Sequence, residues 1–195
     1  TSQGKLEELR KKVFFTFLLL CVYRMAAQIP VPGANPEALA AYFSGSGGGL
    51  ADLFNTFSGG AFKRFSILAL GIMPYITTSI IFSLLGEVIP QIAELQEESD
   101  GQKKIQKWTR YATVVLCLIQ GYVMTSMFEG LVSPAGVPIV ADGGMVFRLT
   151  AMITLAAGTM FLLWLGERIT EYGLENGVSL IIFAGIAVSL PSEII

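Results

Sequence analysis

The side chains that carry most enzyme chemistry are scarce in this sequence or sit where they are inert. Histidine is absent from all 195 residues, which removes imidazole general bases, imidazole proton relays and histidine-ligated zinc. Cys21 and Cys117 lie within apolar runs, where cysteine behaves as a small hydrophobe rather than as half of a disulfide. No phosphate loop, metal-ligand cluster, cofactor motif or nucleophile–base pair emerges. The spacing Gly173-x-x-x-Gly177 falls in a turn, outside the membrane-helix context that gives it meaning. What remains is apolar and patterned. Ile72 with Ile76, and Val178 with Ile182, are each four residues apart and so share a helical face. Both pairs are β-branched and stiff at χ1. On composition alone they are ordinary packing or lipid-facing positions.

The elements that must position these residues are membrane helices. Hydrophobic residues make up 53% of the chain, charged residues 14%, and the mean hydropathy is +0.63; soluble domains carry roughly a quarter charged residues. The net charge of −2 leaves no basic excess for a nucleic-acid footprint. Five apolar stretches are candidate spans: 13–29, broken only by Arg24, then 65–86, 111–128, 149–166 and 176–192. The first follows Lys5, Arg10, Lys11 and Lys12, as a signal peptide would, but it leads into Ile29-Pro30-Val31-Pro32-Gly33 with no small-x-small cleavage site. It reads as a retained first span. With the N-terminus inside, the cytoplasmic segments hold Lys5, Arg10, Lys11, Lys12, Lys103, Lys104, Lys107, Arg110 and Arg168, against Lys63, Arg64 and Arg148 outside. That asymmetry predicts a cytoplasmic N-terminus. Arg24, inside a span, marks a pathway or, six residues from Pro30, snorkels to the outer interface; the second account is the simpler.

Three features exceed what a plain bundle needs. Leu50, Leu53, Phe54 and Phe57 form the apolar stripe of a helix too short to span. It lies between Gly45, Gly47, Gly48 and Gly49 on one side and Gly59-Gly60 on the other, glycines that permit hinges. Such a helix either rests on the outer surface or folds back into a lined cavity. Pro74 falls in the middle of the second apolar stretch, where it predicts a bent helix. The segment 87–110 reads as a long charged loop, acidic in its first half and basic in its second, a solvated surface whose basic end can also meet anionic lipid.

Several segments together resemble one family. They are Ile29-Pro30-Val31-Pro32-Gly33, Phe54-Asn55-Thr56-Phe57-Ser58-Gly59-Gly60, Ala69-Leu70-Gly71-Ile72-Met73-Pro74-Tyr75-Ile76, Thr109-Arg110-Tyr111, Gly158-Thr159-Met160-Phe161 with Trp164-Leu165-Gly166-Glu167, and Asn176-Gly177-Val178-Ser179 leading to Ile182-Phe183-Ala184-Gly185-Ile186. In this order the chain resembles the N-terminal half of the SecY family, the channel subunits of bacterial Sec protein translocases. The resemblance implies an all-α, polytopic membrane helix bundle, one inverted-repeat half of a ten-helix channel. It implies passage of unfolded secretory polypeptide and release of membrane segments into lipid, with no bond made or broken.

Carried onto these residues, the resemblance makes Leu50, Leu53, Phe54, Phe57, Gly59 and Gly60 part of a plug. Ile72, Ile76, Val178 and Ile182 become members of an apolar pore ring, and Pro74, Thr77 and Thr78 part of a lateral gate in the second and third spans. It implies no cofactor and no metal. The implied partners are SecE and SecG subunits, the SecA motor ATPase, the ribosome, signal peptides and nascent polypeptide, membrane lipid and a C-terminal half, in a bacterial plasma membrane. Tyr172 and Glu175 depart from the family's usual basic or small residue and glycine, which bears on the local turn and on cytoplasmic contacts there. A multi-pass solute transporter or membrane enzyme subunit is the alternative. It calls for intramembrane charges or paired carboxylates, and Arg24 is the one charge within a span.

Overall fold

Charge and apolar residues share the first helix in the computed structural model, which describes residues 2–45, 49–174 and 176–194, with side chains as far as Pro191. Gly47, Gly48 and Glu175 lie outside the described residues. Helix α1, Ser2–Ala26, starts well before its apolar stretch, supported on its exposed side by Glu7–Lys11 and Glu8–Lys12 pairs one turn apart. It stops short of residue 29, because Pro30 cannot continue a helix and the chain turns into an isolated bridge with Ser66. Asn35 then caps α2, Pro36–Gly45, its Oδ1 accepting from the Glu37 and Ala38 N–H groups at 3.1 and 3.2 Å. The remaining helices are α3 (Leu50–Phe57), α4 (Met73–Val88), α5 (Pro90–Glu97), α6 (Ser99–Glu129), α7 (Met145–Tyr172) and α8 (Gly177–Ile194). Among the described residues there is no strand beyond isolated bridges.

Two sequence expectations are corrected. The apolar stretch 65–86 is not one bent helix: residues 61–72 form a series of turns, and Pro74 stands in the first turn of α4. There its missing N–H and fixed φ favour the helix instead of breaking it. The charged segment 87–110 is not a loop either. It folds as α5, set at 110° to α4, and as the start of α6. Gln96 of α5 donates to the Phe82 carbonyl at 3.2 Å, tying the bend down. By length and composition α6 and α7 can each cross a membrane, the bent α4–α5 pair counts as a third if it is one span, and α8 is a shorter apolar helix.

Helix α7 is the pillar. Its N-terminal half packs Phe147, Ala151 and Leu155 with Phe65 and Phe128, and its C-terminal half packs Leu162, Leu165 and Ile169 with Leu19, Tyr23 and Ile181. Small residues let neighbours approach it: Gly121 of α6 faces Met152, and Gly166 faces α8. At one end Glu129 accepts from the Gly144 N–H at 2.9 Å and from Arg148 Nε at 2.7 Å, joining the end of α6 to the start of α7. The Gly144 backbone bond first, and Arg148 second, hold the Glu129 carboxyl below the usual carboxylate range. At the other end Arg110 of α6 pairs with Glu167 of α7 at 2.5 Å.

The turn between α7 and α8 is similarly close-fitted. Gly177 lies directly on the Gly166 carbonyl, and its N–H donates to Thr170 Oγ1 at 2.9 Å. A methyl there collides with backbone, so Gly177→Ala is expected to lose about 1–3 kcal/mol through overpacking. Gly45, with Pro134 Cγ 4.0 Å from its Cβ position, should accept alanine freely. Thermal unfolding of the detergent-solubilised protein, read by tryptophan fluorescence, checks the contrast. Equal midpoints for the two variants would refute it.

Candidate functional site

The first aliphatic pair is placed by the turns that precede α4. Val31 N–H donates to the Phe65 carbonyl at 2.8 Å and Ile67 N–H to the Ile29 carbonyl at 3.0 Å, fixing the entry of this segment. Its far end rests on α7, where Gly158 leaves room for the Ile67 carbonyl and Thr159 Oγ1 donates to the Gly71 carbonyl at 3.1 Å. Gly71 has φ +58, which turns the chain into α4. Ile72 follows as the N-cap residue, buried, and the Ile76 N–H donates to its carbonyl at 3.1 Å. The two isoleucines therefore occupy adjacent turns, Ile76 half-buried.

The second pair stands at the start of α8. Val178 is half-buried, its Cγ2 3.2 Å from where a Cβ of Gly166 would be, and Ile182 is half-buried one turn further on. The structure brings each pair together internally. Between them it leaves a separation: α4 and α8 both lean on α7 and, among the described residues, do not pack on each other.

Helix α3 is held by its polar side and leaves its apolar side open. Lys63 forms an ion pair with Asp52, and its N–H donates to Asn55 Oδ1 at 3.0 Å. The Gly60 N–H donates to the Asn55 carbonyl at 2.8 Å. Leu50, Leu53, Phe54 and Phe57 are 74%, 57%, 48% and 47% exposed, so among the described residues the stripe is covered only in part, chiefly where Phe54 stacks on Phe62 with ring centroids 6.0 Å apart. The helix itself packs on α8. Just past its end, Ser58 lies 3.9 Å from the Cβ position of Gly71, the neighbour of Ile72, and Gly59 lies 3.0 Å, by its own Cβ position, from the Cα of Gly185, three residues beyond Ile182. The exit of α3 thus bridges the two elements that carry the aliphatic pairs.

Two sequence features of this region gain partners. Gly59 and Gly60 have φ +64 and +85, yet Gly59 is packed against Gly185 and Tyr23, so it serves close approach more than free hinging. Arg24, for which the sequence offers a pathway or an interfacial role, donates from its guanidinium to the Gly59 carbonyl at 2.8 Å. Thr77 and Thr78 bond the Met73 and Pro74 carbonyls of their own helix at 3.0 and 2.8 Å, Thr77 exposed and Thr78 buried. Gly158, Thr159, Gly185 and Tyr23 escaped sequence reasoning as positioning residues. The first three lie in quoted motifs, but nothing local names their partners across the fold. Tyr172 packs edge-on to Phe15, ring centroids 6.1 Å apart, with the Arg168 guanidinium 5.7 Å from its ring.

The SecY family model matches residues 66–195. Over 99% of its length the chain is 50% identical to the protein translocase subunit SecY of Pseudomonas aeruginosa, of which it covers 42%. It is 44% identical, over its full length, to the protein translocase subunit SecY of Escherichia coli K12, covering 44% of it. The chain therefore spans less than half the length of these curated relatives. Among solved structures it resembles Sec61 in a canine ribosome–channel complex from the endoplasmic reticulum, with TM-score 0.63 and 19% identity over 92% of this chain and 36% of that one. It also resembles a SecY whose plug domain stabilises the closed state of a translocation channel, with TM-score 0.61 and 20% identity over 93% of this chain and 36% of the other. The fold is that of about half such a channel, a multi-pass helical membrane protein.

Proposed function

Because the chain belongs to the SecY family, we propose that it forms one half of a protein-conducting channel and itself catalyses no reaction. The observation that carries the reading is the exit of α3, which joins the start of α4 to the middle of α8 while much of the apolar stripe of α3 stays exposed. A short helix so placed acts as a plug. Ile72, Ile76, Val178 and Ile182 supply half of a constriction that excludes water by dewetting, since stiff branched aliphatics offer it no hydrogen bond and still move aside for an extended chain. Pro74, Thr77 and Thr78 belong to the first-half wall of a lateral gate, through which an apolar segment reaches lipid. Helices α1, α4, α6, α7 and α8 make the five crossings, with the N-terminus cytoplasmic in a bacterial plasma membrane.

The opposing wall is a C-terminal half, and the assembly takes SecE, SecG, the SecA motor or the ribosome, signal peptides and nascent polypeptide as its partners. The test asks whether peptide passes this site. A photocrosslinker placed at Ile76 of the full-length protein should capture a stalled secretory chain, and one at exposed Ile153 on α7 should not. Capture at neither position, or equally at both, would overturn the reading.

A further inference from the structure

We propose that Arg24 and Tyr23 of α1 form a latch that holds α3 in its closed seat, an inference that rests on reading α3 as the plug. A guanidinium in an otherwise uncharged apolar stretch is costly unless it is paired. Here its 2.8 Å bond goes to the Gly59 carbonyl, immediately past the end of α3. Tyr23, buried beside it, donates to the Ser58 carbonyl at 3.4 Å. The seat is built to fit: a Cβ on Gly59 would stand 2.8 Å from Tyr23 Oη and 3.0 Å from the Gly185 Cα, and one on Gly185 would stand 3.1 Å from Tyr23 Oη and 3.4 Å from the Phe57 carbonyl oxygen. Three elements, α1, α3 and α8, thus meet in one clasp at the end of α3.

The chemistry of the partner makes this a latch and not a rivet. A carboxylate opposite Arg24 would leave two buried charges to separate on opening, whereas a neutral carbonyl can exchange its donor for water at modest cost. The bond is charge-assisted and strong while the seat is dry. It lapses once α3 moves off Gly185 and water reaches the guanidinium. Arg24 is therefore a positioning residue, setting how readily the plug leaves without touching the translocating chain.

The experiment measures resting ion conductance of the full-length protein in planar bilayers, with and without Leu50–Phe57. Arg24→Gln should raise conductance about tenfold when α3 is present, the factor one charge-assisted hydrogen bond typically contributes. Arg24→Lys, which keeps a charged donor, should restore most of the seal. In the protein lacking Leu50–Phe57, Arg24→Gln should add nothing, because the effect passes through α3. An unchanged conductance for Arg24→Gln, while the deletion itself leaks, refutes the latch and leaves the plug standing. A deletion that does not leak refutes the plug and the latch with it. An equal increment in both backgrounds shows that Arg24 acts elsewhere and also overturns the proposal. Should Arg24→Gln fail to accumulate, Gly185→Ala probes the same seat from α8 and should leak in the same α3-dependent way; an intact seal there refutes the clasp.

Discussion

Removal of Leu50–Phe57 from the full-length protein is expected to raise its resting ion conductance by at least about tenfold, without abolishing translocation. The magnitude follows from the stripe on α3. Leu50, Leu53, Phe54 and Phe57 are about half exposed or more within this chain, and seating even one such side chain against an opposing wall is worth about 1.5–3 kcal/mol. Since about 1.4 kcal/mol is a factor of ten in an equilibrium, one well-seated residue suffices for that change in the open fraction. The polar anchors bear on direction as well as size. Asp52 and Asn55 both engage Lys63, so deleting the helix frees the Lys63 ammonium beside the proposed plug seat. Small anions should therefore permeate the deleted channel more readily than small cations. Conductance recorded in planar bilayers under a salt gradient reads both effects. A seal as tight as the parent's would mean that α3 has no part in closing the channel.

How far this site could be read from sequence depended on whether its cause was local. The bounds of α3 were legible because its stripe and its flanking glycines are local signals, and α8 follows closely the stretch 176–192. Residues 65–72 are not legible as turns, because their apolar composition suits a helix and a buried turn equally. What selects the turns is distant: the carbonyls of Ile67 and Gly71 are received by Gly158 and Thr159 of α7. Pro74 reads as a kink for the same reason, since without the preceding turns its position within α4 is undefined. The charge of segment 87–110 suits a solvated loop and an exposed helix equally. Its helices are fixed by Pro90 at the start of α5 and by the backbone approach of Gly101 to Leu95. Arg24 shows the same limit. Its cost in an apolar stretch is visible in one dimension, but the carbonyl that receives it is 35 positions away.

The proposed constriction supplies the second large effect: Ile76→Ser in the full-length protein is expected to raise resting conductance about tenfold, from the loss of most of one aliphatic side chain's contribution to water exclusion, about 1.5–3 kcal/mol. The site argues for the less buried member of the pair. Ile72 is 5% exposed and sits at the junction of the turns with α4, so Ile72→Ser also places a hydroxyl in a packed position and destabilises the fold. Ile76 is half-buried on the next turn, and its backbone bond to Ile72 is untouched by the change. Conductance should therefore rise in Ile76→Ser with little change in thermal midpoint, while Ile72→Ser lowers the midpoint as well. Ile76→Val keeps branching and apolarity, and it should seal nearly as well as the parent. If serine and valine leak alike, bulk rather than wetting sets the barrier; if neither leaks, this face of α4 does not line the pore. Combined with the loss of Leu50–Phe57, Ile76→Ser should give more than the sum of the two leaks. With the proposed plug and constriction closing one path in series, each masks part of what the other's removal would reveal.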